Sequence, residues 1–261
     1  IEVIKNVLAS VPQLEAKRID DVIVGNAVPE AEQGLQVGRI IAARALGIEV
    51  PGMTINRYCA SGLEAIAIAT AKIRTGMAEC IVAGGTESMS LVPTAGWKTV
   101  PSYSIAKDDP DYYLSMGLTA EAVAKEYKVS REDQDLFSYH SHQKAITAIQ
   151  NGYFKTGILP VTVEDIYLDA KGKRQSKSYV MDTDEGPRKD TSVEVLSKLK
   201  PVFAAGGSVT AGNSSQTSDG AAFVIVMGEN MVKELGLKPW ARLVACASAG
   251  VHPRIMGVGP I

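Results

Sequence analysis

The chain has 261 residues, of which 46% are hydrophobic and 21% are charged, and its formal net charge is −2. This composition is that of an ordinary globular protein, long enough for one large core or two modest ones. The sequence has no apolar run near the length of about 20 residues that spans a bilayer. It also has no basic tract interleaved with aromatic residues, so we expect neither a membrane nor nucleic acid as a partner.

The first part of the chain alternates helical and strand patterns. Helices are predicted at 4–14 and 38–46, and short buried strands at 21–25, 53–55 and 80–83. Strands that alternate with helices indicate a mainly parallel sheet with helices on its faces.

The middle of the chain changes character, because Pro, Tyr, Lys and Asp become more frequent after residue 92. Two helices are predicted there, at 119–127 and 131–150, and Ser130 with Asp133 forms an N-terminal capping pattern for the second. We interpret this segment as an insertion into the core.

The last part of the chain returns to the pattern of the core. Residues 208–228 predict a glycine turn followed by a continuous buried strand, and residues 241–249 predict the start of another strand. Ile1 is not an initiator Met, its surroundings read as the middle of a helix, and the chain stops at GVGPI. We therefore expect a fragment of a longer chain, whose sequence gives no view of an upstream targeting peptide.

The three cysteines, Cys59, Cys80 and Cys246, form no CxxC pair and are odd in number. This favours free thiols in a reducing, cytoplasmic compartment over a disulfide framework or a zinc site. His140 and His142 lie two apart on a predicted helix, so they point to different faces and cannot share one metal ion. His252 lies in a loop before Pro253 and is a weak catalytic candidate, so we expect no metal site.

Cys59 is the strongest candidate for chemistry. It lies in a polar turn, 56–61, between a predicted strand and a helix that is rich in Ala, Ile and Leu from Leu63 onward and is predicted to be buried nearly all round. The backbone N–H groups and the dipole at a helix N-terminus stabilise a nucleophilic thiolate. Gly62 is expected to leave room beside the turn for a large substrate. The alternative is a structural cysteine, since free Cys is among the most buried residue types.

The segment NRYCASGLEA around Cys59 resembles the nucleophile motif of the thiolase family. Five further segments match that family in the same order: CIVAGGTESMS (80–90), SMGLTAEAVA (115–124), DEGPRKDTSVEVLSKLKPVF (184–203), SVTAGNSSQTSDGAA (208–222) and HPRIMGVGP (252–260). The glycine turn GGTES (84–88) lacks the spacing of phosphate-binding loops, so we interpret it as close backbone packing under the site. The resemblance covers essentially the whole chain.

This resemblance implies an α/β fold with a thiolase-like layered αβαβα core. The chain would carry the first half of that core with an inserted loop domain, and the second half would be largely absent. The implied domains are 1–92 for the N-terminal core with the nucleophile, 93–200 for the loop domain, 201–239 for the return to the N-terminal core, and 240–261 for the start of the C-terminal half.

The resemblance also implies the site residues. Cys59 matches the nucleophile that carries the acyl group as a thioester. Six residues match the family's coenzyme A and acyl-chain contacts: Ser215 for the pantetheine arm, Met116 and Met256 for the acyl pocket, Arg188 near the adenine, and Leu199 and Phe203 as apolar walls. Taken singly, the apolar residues are equally consistent with core packing and Arg188 with a solvated surface charge. Coenzyme A would be a substrate, and no permanently bound cofactor is implied.

The family's GHP, CxGGG and NEAF motifs, which activate the thiol and hold an oxyanion water, occur nowhere in the sequence. What remains is the nucleophile and its own backbone N–H as an oxyanion donor. We therefore expect these residues alone to be nearly inactive.

The implied reaction is CoA-dependent thiolytic cleavage of a 3-ketoacyl-CoA to acetyl-CoA and a shortened acyl-CoA, or its reverse, the Claisen condensation of acetyl-CoA. Ser115 stands where acetoacetyl-type biosynthetic thiolases carry His, which favours a degradative thiolase of fatty-acid β-oxidation. The biosynthetic type, a β-ketoacyl synthase and a non-catalytic acyl-CoA-binding subunit remain alternatives. The family further implies a homodimer or a dimer of dimers.

Overall fold

The computed structural model describes all residues, 1–261. Its secondary structure consists of eight α-helices and six strands. The helices are α1 (Glu2–Ala9), α2 (Val37–Leu46), α3 (Ser61–Arg74), α4 (Tyr103–Asp108), α5 (Met116–Glu126), α6 (Arg131–Gln150), α7 (Val193–Ser197) and α8 (Glu229–Glu234). The strands are β1 (Asp21–Gly25), β2 (Gly52–Ile55), β3 (Cys80–Ser88), β4 (Val161–Leu168), β5 (Arg174–Met181) and β6 (Asp219–Met227).

The chain divides into two units by its internal contacts. The first unit comprises Ile1–Val100 and Thr217–Ser248, and the second comprises Pro101–Gln216 and Ala249–Ile261. How these units correspond to the domains that the resemblance implies stays a prediction.

A four-stranded sheet with the order β2-β1-β3-β6 organises the first unit. Strand β1 runs parallel to both of its neighbours, and β6 runs antiparallel to β3, with Cys80 opposite Met227. The three parallel strands therefore end at one common edge, where loops collect functional side chains in open α/β sheets.

Apolar side chains alternate between the two faces of the central strand. Ile23 packs with Ala65 and Ala69 of α3 on one face. Val22 and Val24 face the opposite side, in a cluster that includes side chains of α1, α2 and α8. Because successive side chains of a strand point to opposite faces, a wholly apolar strand is covered by helices on both sides. The first unit is thus a three-layer αβα arrangement, which confirms the predicted mainly parallel sheet with helices on its faces.

The second unit is mainly helical, with a separate two-stranded antiparallel sheet formed by β4 and β5. Its longest helix, α6, begins at Arg131 as predicted. Ser130 caps it by accepting a hydrogen bond from the N–H of Asp133 at 3.0 Å and donating to the Asp133 carboxylate at 2.8 Å. The predicted capping pattern is therefore confirmed.

Three local predictions are wrong. Helix α3 buries only one face, and Leu63 is exposed, because its neighbours are the sheet on one side only. Strand β6 is largely exposed, since it lies at an edge of the sheet. Residues 241–249 form no strand, because no neighbouring segment pairs with them.

Candidate functional site

Cys59 lies in the turn that joins β2 to α3, at the carboxyl edge of the parallel strands. Its side chain is exposed, so the alternative of a buried structural cysteine is wrong. Ala60 is the N-cap residue of α3, which places the thiol one residue before the cap of a 14-residue helix. The positive end of the helix dipole therefore lies beside the sulfur.

The turn is held by hydrogen bonds within it. Ser61, only 3% exposed, accepts a bond from the Arg57 N–H at 2.7 Å and donates one to the Tyr58 carbonyl at 2.5 Å. Asn56 accepts from the Tyr58 N–H at 2.7 Å, and its amide donates to the Ala27 carbonyl at 2.9 Å. These contacts tie the turn to the loop that follows β1.

Tyr58, directly before the cysteine, adopts a left-handed backbone conformation with φ of +46°. A non-glycine residue in this region costs of order 1 kcal/mol or more and persists only where its surroundings hold it. The bonds from Asn56 and Ser61 to the Tyr58 peptide groups provide that support. The strained backbone therefore directly precedes Cys59.

The start of α3 rests on glycines at the ends of the strands. A Cβ atom at Gly25 of β1 would lie 2.6 Å from the Ser61 carbonyl carbon, and one at Gly85 of β3 would lie 3.0 Å from the Gly25 carbonyl oxygen. A Cβ atom at Gly62 would point toward β3 and lie 3.9 Å from the Gly84 carbonyl carbon and from the Gly85 nitrogen. The expectation that Gly62 keeps space for a substrate is therefore wrong, since it faces the sheet. The interpretation of GGTES as close backbone packing is confirmed, but the predicted glycine turn is wrong, because residues 84–88 continue strand β3 and pair with β6.

A second group of predicted site residues lies around α5 in the second unit. Met116 is the first residue of α5, and the ring of Phe203 packs on the backbone of Gly117, where a Cβ would lie 2.2 Å from its Cδ1 atom. The 3-10 helix that carries Met256 (Pro253–Val258) also packs on α5. The structure thus brings both predicted acyl-pocket methionines and the predicted wall residue Phe203 to one helix.

These apolar residues are not core residues. Met116 is 51% exposed, Phe203 42%, Met256 39% and Leu199 36%. The interpretation of these four side chains as ordinary core packing is therefore wrong. A set of exposed apolar side chains in one unit is the kind of surface that takes an apolar ligand.

The loop 208–216 carries Ser215 and also contacts Leu199. Gly212 of this loop packs on Leu199, and a Cβ there would lie 2.5 Å from its Cδ1 atom. Ser215 is exposed. Arg188 is also exposed and forms an ion pair with Asp190 at 3.3 Å, which lowers the pKa of that carboxyl group through the hydrogen bond from Arg188.

A buried polar frame, which the sequence analysis missed, supports this loop. Asp135 of α6 is 1% exposed; it accepts a bond from the Arg131 Nε at 2.8 Å and one from the Asn213 amide at 3.0 Å. Arg131 also donates to the carbonyl oxygens of Leu196 and Leu199. A single aspartate within the charged run REDQD carries no local signal of burial. Asn56 does carry a local signal of its role in the turn, because Asn commonly bonds a backbone N–H two residues on.

The remaining candidates have other roles. Cys80 is fully buried, and burial together with the Asp20 carboxylate raises its pKa to about 12. Cys246 is exposed. His252 caps the short helix that follows it by accepting from the Arg254 N–H at 3.3 Å. The structure groups no three His, Cys, Asp or Glu side chains as metal ligands, and no helix is long and apolar enough to cross a membrane.

Comparison with known proteins agrees with this fold. The family model "Thiolase, N-terminal domain" matches residues 1–230. The chain therefore belongs to the thiolase family, as the motifs around Cys59 predict.

Two relatives and one solved structure are similar to nearly the whole of this chain. The 3-ketoacyl-CoA thiolase of Bacillus subtilis is 50% identical over 93% of this chain, and the acetyl-CoA acetyltransferase of Pseudomonas aeruginosa is 44% identical over 95%. The crystal structure of the Bacillus anthracis acetyl-CoA acetyltransferase matches 98% of the chain with a TM-score of 0.83 and 36% identity. The chain spans 62% and 64% of the two relatives' lengths and 66% of the crystallised chain.

Proposed function

We propose that this chain is the nucleophile-bearing part of a thiolase that transfers acyl groups between CoA thioesters through Cys59. The exposed thiol on the strained, hydrogen-bonded turn at the start of α3 is the observation that carries the proposal. Membership of the thiolase family supports the same chemistry.

In the proposed cleavage, the Cys59 thiolate attacks the C3 carbonyl carbon of a 3-ketoacyl-CoA. The bond between C2 and C3 then breaks, its electron pair remains on C2 as an enolate, and protonation of that carbon releases acetyl-CoA. The acyl group is left on the sulfur as a thioester. Attack by the CoA thiolate on this thioester gives the shortened acyl-CoA and restores the Cys59 thiolate, so the proton gained at C2 is balanced by the one lost from the CoA thiol.

The backbone of the turn supplies the electrostatic part of this mechanism. The N–H groups of Arg57, Tyr58, Ala60 and Ser61 already donate within the turn. The Cys59 N–H is therefore the candidate donor to the oxyanion that forms on the attacked carbonyl. Donors fixed in advance stabilise developing charge without reorganising during the reaction.

The ligand would be held by the exposed apolar residues of the second unit. We propose that Met116, Phe203 and Met256 contact the acyl chain, and that Leu199 contacts the pantetheine arm beside Ser215. A long, mostly apolar arm needs such a surface with few polar anchors, and a nucleotide end needs a cation, for which Arg188 is the candidate. CoA would enter as a substrate, with no permanently bound cofactor.

Trapping of the acyl group tests the proposal directly. After incubation with acetyl-CoA, the intact chain is expected to gain one acetyl group, located on Cys59 by peptide mapping and removed by added CoA. The variant C59S should gain none by this route, whereas C246S, which removes the other exposed thiol, should behave as the wild type. Acetylation that is unchanged in C59S would overturn the proposal.

Multiple turnover by these residues alone is expected to be slow. The sequence contains no GHP, CxGGG or NEAF motif, and a positioned acid or base typically contributes about 10²–10⁴-fold. Cleavage of acetoacetyl-CoA by the purified chain at an ordinary enzyme rate would contradict this expectation.

We propose that the substrate is a 3-ketoacyl-CoA in a degradative direction. The 50% identical B. subtilis relative, which is named a 3-ketoacyl-CoA thiolase, supports this subtype. Ser115, which stands where biosynthetic thiolases carry His, supports the degradative subtype less strongly. Its hydroxyl caps α5 by accepting a hydrogen bond from the Leu118 N–H at 3.4 Å, which is a structural reason for a serine at this position. The preference is measured by comparing acylation of Cys59 by acetoacetyl-CoA with acylation by a longer 3-ketoacyl-CoA.

Two further properties are proposed with the function. A cytoplasmic location rests on the odd number of free cysteines, and a homodimer or dimer of dimers rests on the family resemblance. Light scattering on the purified chain measures its oligomeric state. The alternative function, acyl-CoA binding without acyl transfer, is favoured by the absence of the GHP and CxGGG motifs from the sequence. It predicts CoA binding by C59S and no acetylation of the wild type.

A further inference from the structure

A histidine on helix α6 contacts the segment that carries Arg188. The backbone N–H of Arg188 donates to the Nδ1 atom of His142 at 3.1 Å, across 46 residues of sequence. His142 is half-buried and lies within a 20-residue helix, whereas the segment 184–190 has no regular secondary structure. The imidazole therefore links an irregular segment to a rigid element.

The same segment has a second point of attachment. Gly186 lies against the side chain of Gln216, and a Cβ there would be 2.3 Å from its Oε1 atom. Gln216 directly follows Ser215, the residue proposed to contact the pantetheine arm. Two residues of the segment thus contact two different supports, one on α6 and one beside Ser215.

We propose that His142 is a positioning residue for Arg188, acting on the nucleotide end of CoA through the backbone of the 184–190 segment. This inference rests on the proposed CoA-binding function. The Arg188 side chain is exposed and is paired only with Asp190 at the surface, so its reach depends on where its backbone is held. The contact with His142 sets that position.

The contact also fixes the chemistry of the imidazole. A nitrogen that accepts a hydrogen bond carries no proton, so the ring must be neutral, with its proton on Nε2. A protonated ring has two donors and no acceptor, and it would add a positive charge beside the Arg188 segment.

Binding measurements with two ligands test the proposal. The variant H142A is expected to weaken CoA binding by about tenfold, the loss of one oriented hydrogen bond, while binding of phosphopantetheine, which lacks the nucleoside, stays unchanged. H142Q should restore CoA binding to within about twofold of the wild type, because its amide oxygen can accept the same bond. H140A removes an exposed histidine two residues away on the same helix and should have no effect.

Trypsin cleavage after Arg188 tests the contact without any ligand. H142A should be cleaved there faster than the wild type, and H142Q and H140A at the wild-type rate. Faster cleavage of H142A with unchanged CoA affinity would overturn the role in binding, and unchanged cleavage would overturn the positioning itself. If the wild type binds neither CoA nor phosphopantetheine, the proposed function fails together with the CoA role, while the cleavage experiment still decides the contact.

Discussion

Gly25 at the end of β1 and Ser61 at the start of α3 touch backbone to backbone. A Cβ at Gly25 would lie 2.6 Å from the Ser61 carbonyl carbon and 2.7 Å from the Gly62 nitrogen. Neither atom belongs to a flexible side chain, so a larger residue at position 25 must push the helix away from the sheet. The position of the turn that carries Cys59 thus depends on the absence of a side chain at Gly25, which belongs to a different element.

The variant G25A is accordingly expected to lower the free energy of unfolding by about 1–3 kcal/mol, the usual cost of overpacking. Urea denaturation measures this change. G220A is the matched control, since a Cβ at Gly220 of β6 meets nothing within 4 Å and should change the value by less than about 0.5 kcal/mol. Equal effects of the two substitutions would contradict the packing argument.

Ser61 supports the strained backbone of Tyr58, the residue before Cys59. The variant S61A should therefore lower the rate of Cys59 acylation by a larger factor than it lowers the folding equilibrium constant. Loss of its two hydrogen bonds leaves Tyr58 free to leave its left-handed conformation, and misplacement of the thiol should reduce the acylation rate by between about tenfold and about a hundredfold. The rate is read from the mass of the chain against time with acetyl-CoA.

The control for S61A lies at the other end of the same helix. Thr75 donates to the Ala71 carbonyl at 2.9 Å, so T75A also removes a hydroxyl that bonds the α3 backbone. It should leave the acylation rate unchanged. A similar loss of rate in both variants would mean that general loosening of α3, and not the turn, decides the rate.

Cys80 makes the stability of the fold sensitive to alkaline pH. Because the folded-state pKa is raised from 9.0 to about 12, the folded chain keeps a proton that the unfolded chain releases. The contribution of the buried Cys80 thiol to the free energy of unfolding is therefore fully present below about pH 9. It is lost as the pH rises toward 12, at about 1.4 kcal/mol per pH unit. In C80A this part of the slope should disappear, and in C246A it should persist. Equal slopes in C80A and the wild type would contradict the assignment.

The same burial predicts the pattern of cysteine labelling. At neutral pH, iodoacetamide should modify Cys59 and Cys246, which are exposed, and should modify Cys80 only after urea unfolding. Cys59 should react faster than Cys246, because only Cys59 precedes a helix N-terminus. Peptide mapping after graded labelling measures the three rates, and fast labelling of Cys80 in the folded chain would contradict its burial.

Asp135 is expected to be the costliest side chain to remove from the second unit. D135A leaves the guanidinium of Arg131, whose side chain is 21% exposed, and the amide of Asn213 without their buried partner, which typically costs about 3–5 kcal/mol. D190A is the control, since it breaks an exposed ion pair and should not measurably change stability. Thermal unfolding of both variants measures the difference, and a D135A variant as stable as D190A would show that the frame is dispensable.

The sequence was most informative where the physical determinant is local. The helix at 131–150 and its Ser130 cap depend on neighbouring residues, so they could be predicted to the residue. The strand at 21–25 was likewise predicted, because a short apolar run between polar residues suits a buried central strand. The family motif around Cys59 marked the nucleophile candidate without any knowledge of the fold.

Predictions failed where the determinant is a partner distant in sequence. Residues 241–249 are apolar enough for a strand, but pairing decides whether a strand exists. The apolar composition of α3 predicted burial on every face, and only its position against one sheet showed otherwise.

The sequence by itself determined the family and the α/β class, and it singled out Cys59 as the candidate nucleophile. Only the tertiary structure decided that Gly25 packs against the start of α3 and that Ser61 supports the strained backbone of Tyr58. The contact between His142 and the Arg188 backbone was likewise visible only there. Residues that act through close approach or through a single hydrogen bond carry no periodicity and no local composition signal. Their roles arise when folding brings together atoms that are far apart along the chain.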